Sequence, residues 1–203
     1  MNQPKLEFWY EFASTYSYLS ASRIAEAAAL ADIEIVWRPF PLGPIFKAQG
    51  WTDSPFNLYP AKGAYMLRDI ARIAASRGRA FKMPERFPVN GLAAARLALA
   101  VGDDLIGPFS ARVYAAQFED GADIADPAVL AAVLTDLGLD PEITFATAET
   151  PEVKESYREN SQRAAKIGVF GAPSFVTEDG ELFWGDDRLD QAIGWARKTA
   201  KPC

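Results

Sequence analysis

Leu6, Phe8, Tyr10 and Phe12 interleave with Lys5, Glu7, Trp9 and Glu11 near the start of the chain. A period of two, carried by aromatic residues, is the pattern of a β-strand. From Thr15 to Ala31 the chain turns Ala-rich with Leu and Ile, which predicts a helix. Ile33, Ile35 and Trp37 alternate again, predicting a second strand that stops at Pro39. Strand, helix, strand is a unit that makes a parallel pair through a right-handed crossover. Gly, Pro and aromatic residues then dominate from Pro39 to Pro60, a connection of a length that often serves function. Helices are predicted over Pro60–Ser76, Asn90–Val101, Pro108–Phe118, Pro127–Leu137 and Pro151–Lys166. Asp126-Pro127 and Asp140-Pro141 are helix-start signals. Near the end, Ser174–Thr177 and Glu181–Trp184 flank Glu178-Asp179-Gly180, a hairpin signal. Asp186 or Asp187 can then cap a last helix reaching about Ala200.

The order is therefore βαβ, a helical block, then ββα. With the block removed, this is the order of a thioredoxin-like domain. The expected fold class is α/β, thioredoxin-like, with a large all-helical insertion. Residues 1–40 and 168–203 would form the thioredoxin-like part, and residues 41–167 a loop plus the insertion. A length of 203 residues suits that plan. Hydrophobic residues at 49% and charged residues at 24% supply a packed core. The net charge of −6 repels nucleic acid, and no basic run opposes it. No stretch approaches the roughly 18 apolar residues of a membrane span. The N-terminal residues lack a charged-then-apolar leader layout, so a cytoplasmic location is expected. Cys203 is the only cysteine, so no intrachain disulfide is expected. Histidine is absent, which removes Ser-His-Asp and Cys-His catalysis and His-based metal sites.

Ser14-Thr15-Tyr16-Ser17 stands where the first strand breaks into a helix. Many redox proteins carry Cys-x-x-Cys at such a junction, and here two serines hold those positions. Ser14 reads as an N-cap that accepts a backbone N–H. The same geometry also suits an anion, because a helix start presents free N–H groups and partial positive charge. A thiolate brought by a ligand is such an anion. Lowering a thiol pKa by two units takes about 2.7 kcal/mol, which a hydroxyl donor and a helix terminus can supply. In Gly168-Val169-Phe170-Gly171-Ala172-Pro173-Ser174 the proline reads either as a plain strand start or as a cis Ala172-Pro173 peptide. The cis form would offer the N–H and C=O of Ala172 to an extended peptide. Trp184-Gly185-Asp186-Asp187-Arg188 reads as a capped helix, or as a pocket for both charges of an amino-acid head group. Arg68 and Arg72 share a helix face, either solvated or walling a cleft. Trp51, Phe56, Tyr59 and Phe87 are core residues or an aromatic pocket.

Together these pieces resemble the 2-hydroxychromene-2-carboxylate isomerase family. That family is kin to kappa-class glutathione transferases, in the thioredoxin-fold group that also holds the DsbA oxidoreductases. The resemblance rests on Phe12–Tyr18, on Pro60–Tyr65 through Arg72, on Gly168–Phe175 and on Trp184–Arg188. It implies glutathione as cofactor, a small aromatic carboxylate as substrate and a homodimer. Ser14 matches the catalytic serine that contacts the glutathione sulfur. Ala172 matches the backbone partner of the cysteinyl unit, and Trp184, Gly185, Asp186 and Asp187 match the γ-glutamyl contacts. Phe46, Ser54, Pro55 and Asn57 are the implied glutathione contacts of the loop after the second strand, and Phe87 a substrate contact. Thr15 stands where the family often has proline. The implied reaction interconverts 2-hydroxychromene-2-carboxylate and trans-o-hydroxybenzylidenepyruvate through thiolate addition, bond rotation and elimination. A kappa-type transferase and a non-catalytic glutathione or peptide binder are the alternatives. Serines at positions 14 and 17 argue against a disulfide oxidoreductase.

Overall fold

A computed structural model describes residues 3–199, the side chain of Pro55 excepted. Cys203 lies outside the described residues. The elements run β1 (Lys5–Tyr10), α1 (Thr15–Ala21), α2 (Ile24–Ala31), β2 (Glu34–Pro39), α3 (Leu42–Ala48), α4 (Pro55–Leu58) and α5 (Pro60–Ser76). They continue with α6 (Leu92–Ala100), α7 (Asp103–Phe118), α8 (Pro127–Asp136), α9 (Pro141–Ala148) and α10 (Pro151–Lys166). β3 (Ser174–Thr177), β4 (Leu182–Trp184), a 3-10 turn at Asp186–Arg188 and α11 (Leu189–Thr199) close the chain.

The described strands form one sheet in the order β2-β1-β3-β4. β1 pairs with β2 in parallel, from Lys5 opposite Glu34 to Tyr10 opposite Pro39. It pairs with β3 antiparallel, from Leu6 opposite Thr177 to Trp9 opposite Ser174. A central strand is covered on both faces. Here Leu6, Phe8 and Tyr10 fill one face of β1, while on the other Trp9 is buried and Glu7 pairs with Arg38 and Arg163. Leu6, Phe8 and Tyr10 are fully buried in the main core. Phe8 stacks on Tyr10 and on Phe175, with ring centroids 4.9 and 5.5 Å apart. Trp9, on the opposite face, packs in a second cluster with Phe40, Leu42 and Ala164. Each such side chain contributes about 1.5–3 kcal/mol of burial.

The helix predicted over Thr15–Ala31 is two helices. Ser22 and Arg23 separate them. The Ser22 hydroxyl donates to Leu19 O at 2.8 Å, a local bond that competes with the helical ladder. Arg23 leaves helical geometry at φ −135° and donates to Asp186 O at 2.9 Å and to Asp190 at 2.8 Å. Tertiary ion pairing thus outweighs the Ala-rich helix propensity of this stretch. α7 begins at Asp103, well before the Pro108 that was expected to open it. Gly102, at φ +84°, turns the chain, and Asp103 and Asp104 complement the helix dipole. Neither Asp186 nor Asp187 caps the last helix with its side chain. Gly185 precedes the 3-10 turn without a side-chain cap bond, and the Asp186 carboxylate turns into the protein.

Candidate functional site

The start of α1, the turn before β3 and the turn after β4 meet at one end of the sheet. Ser14 occupies the N-cap of α1 at φ −86°, ψ 113°. Its N–H donates to Glu11 O at 2.8 Å, and its Oγ accepts the Ser17 N–H at 3.2 Å. The same Oγ donates to Ala172 O at 3.0 Å, across the gap between the two turns. The Ala172-Pro173 peptide is cis, as is Phe87-Pro88. The N–H of Ala172 bonds nothing among the described residues. Gly185 N–H donates to Pro173 O at 3.0 Å, which ties the third turn to the second. Thr15, at the first helical position, is buried and donates to Met66 Sδ of α5 at 3.2 Å. That contact anchors a helix start which lacks proline.

A cavity of about 1390 Å³ opens over this junction. Of the expected site residues, Ser14, Phe46, Ser54, Phe87, Ala172, Trp184, Gly185, Asp186 and Asp187 line it. Leu42, Trp51, Phe56, Ile73 and Phe170 extend the apolar wall, and Lys47 and Lys62 are its cations. Asn57 does not line the cavity. Its Nδ2 donates to Asp53 Oδ2 at 3.1 Å, so it braces the loop around α4. Pro55 opens α4, and nothing is described of its side chain. Arg68 is absent from the wall, and Arg72 binds Asp69 at 2.8 Å.

The two aspartates of the third motif do different things. Asp186 is 3% exposed. Its carboxylate takes Arg77 at 2.6 Å, Ser20 Oγ at 3.0 Å and Arg23 at 3.6 Å. Those partners leave it no freedom to receive an ammonium group. The Asp187 side chain is 72% exposed and pairs loosely with Arg188 at 3.2 Å. Trp184 crosses the backbone at Gly171, where a Cβ would stand 2.4 Å from its Nε1, and it packs on Phe170 at 5.0 Å. Only glycine lets that indole lie flat against the turn.

Three cavity residues escaped the sequence reading. Tyr16 donates to Asp69 Oδ2 at 3.0 Å. Burial, then the Asp69 contact, pushes its phenol well above the usual range. Although burial opposes it, Arg72 and Tyr16 hold the Asp69 carboxyl below the usual carboxylate range. Glu11 also lines the cavity, and burial pushes its carboxyl up to about 7. In the sequence Glu11 stood only as one position of the strand alternation.

A thioredoxin-type sheet, a cis-proline turn and a serine in the place of a redox cysteine define the class: a thioredoxin-fold protein whose junction carries no thiol of its own. The DSBA-like thioredoxin domain family matches residues 5–193. A 2-hydroxychromene-2-carboxylate isomerase from Sphingobium xenophagum is 30% identical over 187 residues, covering 91% of this chain and 94% of the relative. Glutathione S-transferase kappa 1 from Homo sapiens is 26% identical over 203 residues, covering 91% and 87%. A solved 2-hydroxychromene-2-carboxylate isomerase superposes with a TM-score of 0.85 at 24% identity, covering 97% of this chain and 98% of the other. The chain belongs to the DsbA-like thioredoxin-domain family, in the group that holds the 2-hydroxychromene-2-carboxylate isomerases and kappa-class glutathione transferases.

Proposed function

We propose that this protein is a glutathione-dependent isomerase that interconverts 2-hydroxychromene-2-carboxylate and trans-o-hydroxybenzylidenepyruvate. The observation that carries the reading is the Ser14 hydroxyl at a helix N-cap, bonded to the carbonyl before a cis proline, on the wall of a large aromatic cavity. The residues present fit glutathione. The Ala172 N–H has no partner among the described residues, the helix start favours an anion, and Asp187 keeps a carboxylate open to solvent. Glutathione, when bound, would supply the thiolate nucleophile that the Ser14 junction lacks. Ser14, whose O–H now goes to Ala172 O, would hold the sulfur with that O–H, and Ala172 O would then be available for peptide pairing. Asp187 and the backbone of Gly185 and Asp186 receive the γ-glutamyl end, while Trp184, Phe46 and Ser54 line its path. Phe87, Trp51 and Phe56 suit an aromatic substrate. The reading includes a cytoplasmic location, a homodimer, and a thioredoxin-like part formed by residues 1–40 and 168–203.

The test is an ultraviolet assay of the chromene–benzylidenepyruvate equilibrium with and without glutathione. Turnover only with glutathione is expected, and none in either condition refutes the reading. A second reading, a kappa-type transferase, is favoured by the human relative. It would consume glutathione stoichiometrically, whereas the isomerase recycles it.

A further inference from the structure

We infer that Glu11 is the proton acceptor of this site: its carboxylate takes up the proton that a bound thiol gives up when Ser14 stabilises the thiolate. The inference rests on the glutathione reading above and concerns a residue outside the serine motif. Glu11 directly follows β1, and its backbone carbonyl is held from two sides. Its carbonyl accepts Ser14 N–H and the Tyr114 hydroxyl, each at 2.8 Å. Glu11 is one of the residues that line the cavity that Ser14 lines, and it is partly exposed there. Among the described residues no side chain hydrogen-bonds it and no cation pairs with it, and only the Ala13 N–H favours its charged form. Tyr114 of α7 and Tyr157 of α10 face it as neutral phenols, both raised chiefly by burial. Lys47 and Lys62 share the cavity wall but pair with no acid among the described residues. A partly buried carboxylate without a paired cation carries a desolvation penalty, and protonation relieves it.

The step balances. The S–H bond breaks and its electron pair stays on sulfur. The proton forms an O–H bond on a Glu11 carboxyl oxygen, and the net charge of the cavity is unchanged. A thiolate in the same enclosure raises the carboxyl further, since two anions there repel, so the proton stays on Glu11 while the thiolate persists. Glu11 can then return it when sulfur leaves or when a carbanion needs protonation. A carboxyl whose pKa sits near neutrality suits transfer in both directions.

The experiment counts protons, not turnover. Calorimetry of glutathione binding in buffers of different ionisation enthalpy gives the protons released per site, from pH 5.5 to 8. Glu11→Gln should release more than the unmutated protein, the excess growing from near zero at the acid end toward about one proton at the alkaline end. Glu11→Asp, which keeps a carboxyl, should behave as the unmutated protein. S-Methylglutathione, which has no thiol proton, should give no such excess. Equal release by both proteins, or an excess that persists with S-methylglutathione, overturns the assignment. In the unmutated protein, the infrared difference spectrum should gain a protonated-carboxyl band on glutathione binding, and its absence would also overturn it. If neither glutathione nor S-methylglutathione binds, the glutathione reading itself falls, and the inference with it.

Discussion

Ser14 uses its hydroxyl twice, as acceptor from Ser17 N–H and as donor to Ala172 O. Ser14→Ala removes both bonds. As a cap alone it would lower stability by about 1 kcal/mol and leave chemistry unchanged. If the hydroxyl also holds a thiolate, the variant loses a charge-assisted hydrogen bond worth about 1.5–3 kcal/mol, so turnover at neutral pH falls by about one to two powers of ten. Raising the pH should partly restore the rate, and thiolate absorbance of bound glutathione against pH, in both proteins, reads the shift directly. Superimposable curves would reduce Ser14 to a cap. Ser17 makes an instructive contrast. It sits at the second cysteine position, fully buried, beside the Tyr114 phenol, and its Oγ makes no well-aligned hydrogen bond among the described residues. An unsatisfied buried hydroxyl costs about 1–3 kcal/mol. Ser17→Ala should therefore leave the protein as stable or raise its denaturation midpoint, with glutathione affinity unchanged. Sequence alone carried the cap role of Ser14, and the proposed anion role uses the same helix terminus. It could not separate Asp186 from Asp187, since the two differ only in the arginines that distant helices bring to one of them.

At the scale of elements, those arginines decide where the third turn sits. Asp186 joins the α1–α2 break, through Ser20 and Arg23, to the end of α5, through Arg77. Removing one partner of a buried ion pair strands the others without compensation, at about 3–5 kcal/mol. Asp186→Ala should therefore shift the urea midpoint strongly and disturb the site through displacement of the turn. Asp187→Ala should leave the midpoint in place and weaken glutathione about tenfold, the lower end for a charged hydrogen bond at an exposed group. Equal effects in unfolding titrations would erase the distinction. The same network explains which elements the chain revealed. α5 and α10 were legible from end to end, because proline at the first helical position marks their starts, and α5 adds a regular apolar stripe of Met66, Ile70 and Ala74. The break at Ser22–Arg23 was hidden, because a charged group 163 residues away sets it. The early start of α7 was hidden because Gly102 and two aspartates act before the proline that drew the eye.

At the scale of the whole molecule, folding withdraws the Glu11 carboxyl partly from water, and stability must then depend on pH. Glutathione that binds only the folded state should raise the melting temperature as its concentration increases, and no shift at high concentration would count against the site. Glu11 gives the pH dependence a sign. Its carboxyl is raised from an ordinary 4.5 to about 7 in the folded protein, chiefly by burial. Between these values the folded state holds a proton that the unfolded state has lost. Stability therefore falls as pH rises through that window, and the loss is complete above the folded value. The shift sets an upper limit of about 3 kcal/mol for this one group. Paired acids such as Asp69, held below the usual range, act oppositely and at lower pH, so the two trends separate along the pH axis. Urea unfolding of the unmutated protein should thus show a decline from about pH 4.5 to 7 that is missing in Glu11→Gln, where no proton is bound or lost. The variant should also be the more stable of the two at pH 8, because its neutral amide avoids burying a charge. Parallel stability curves across that window would mean that the Glu11 carboxyl titrates as it does in water, and that the cavity leaves it well solvated.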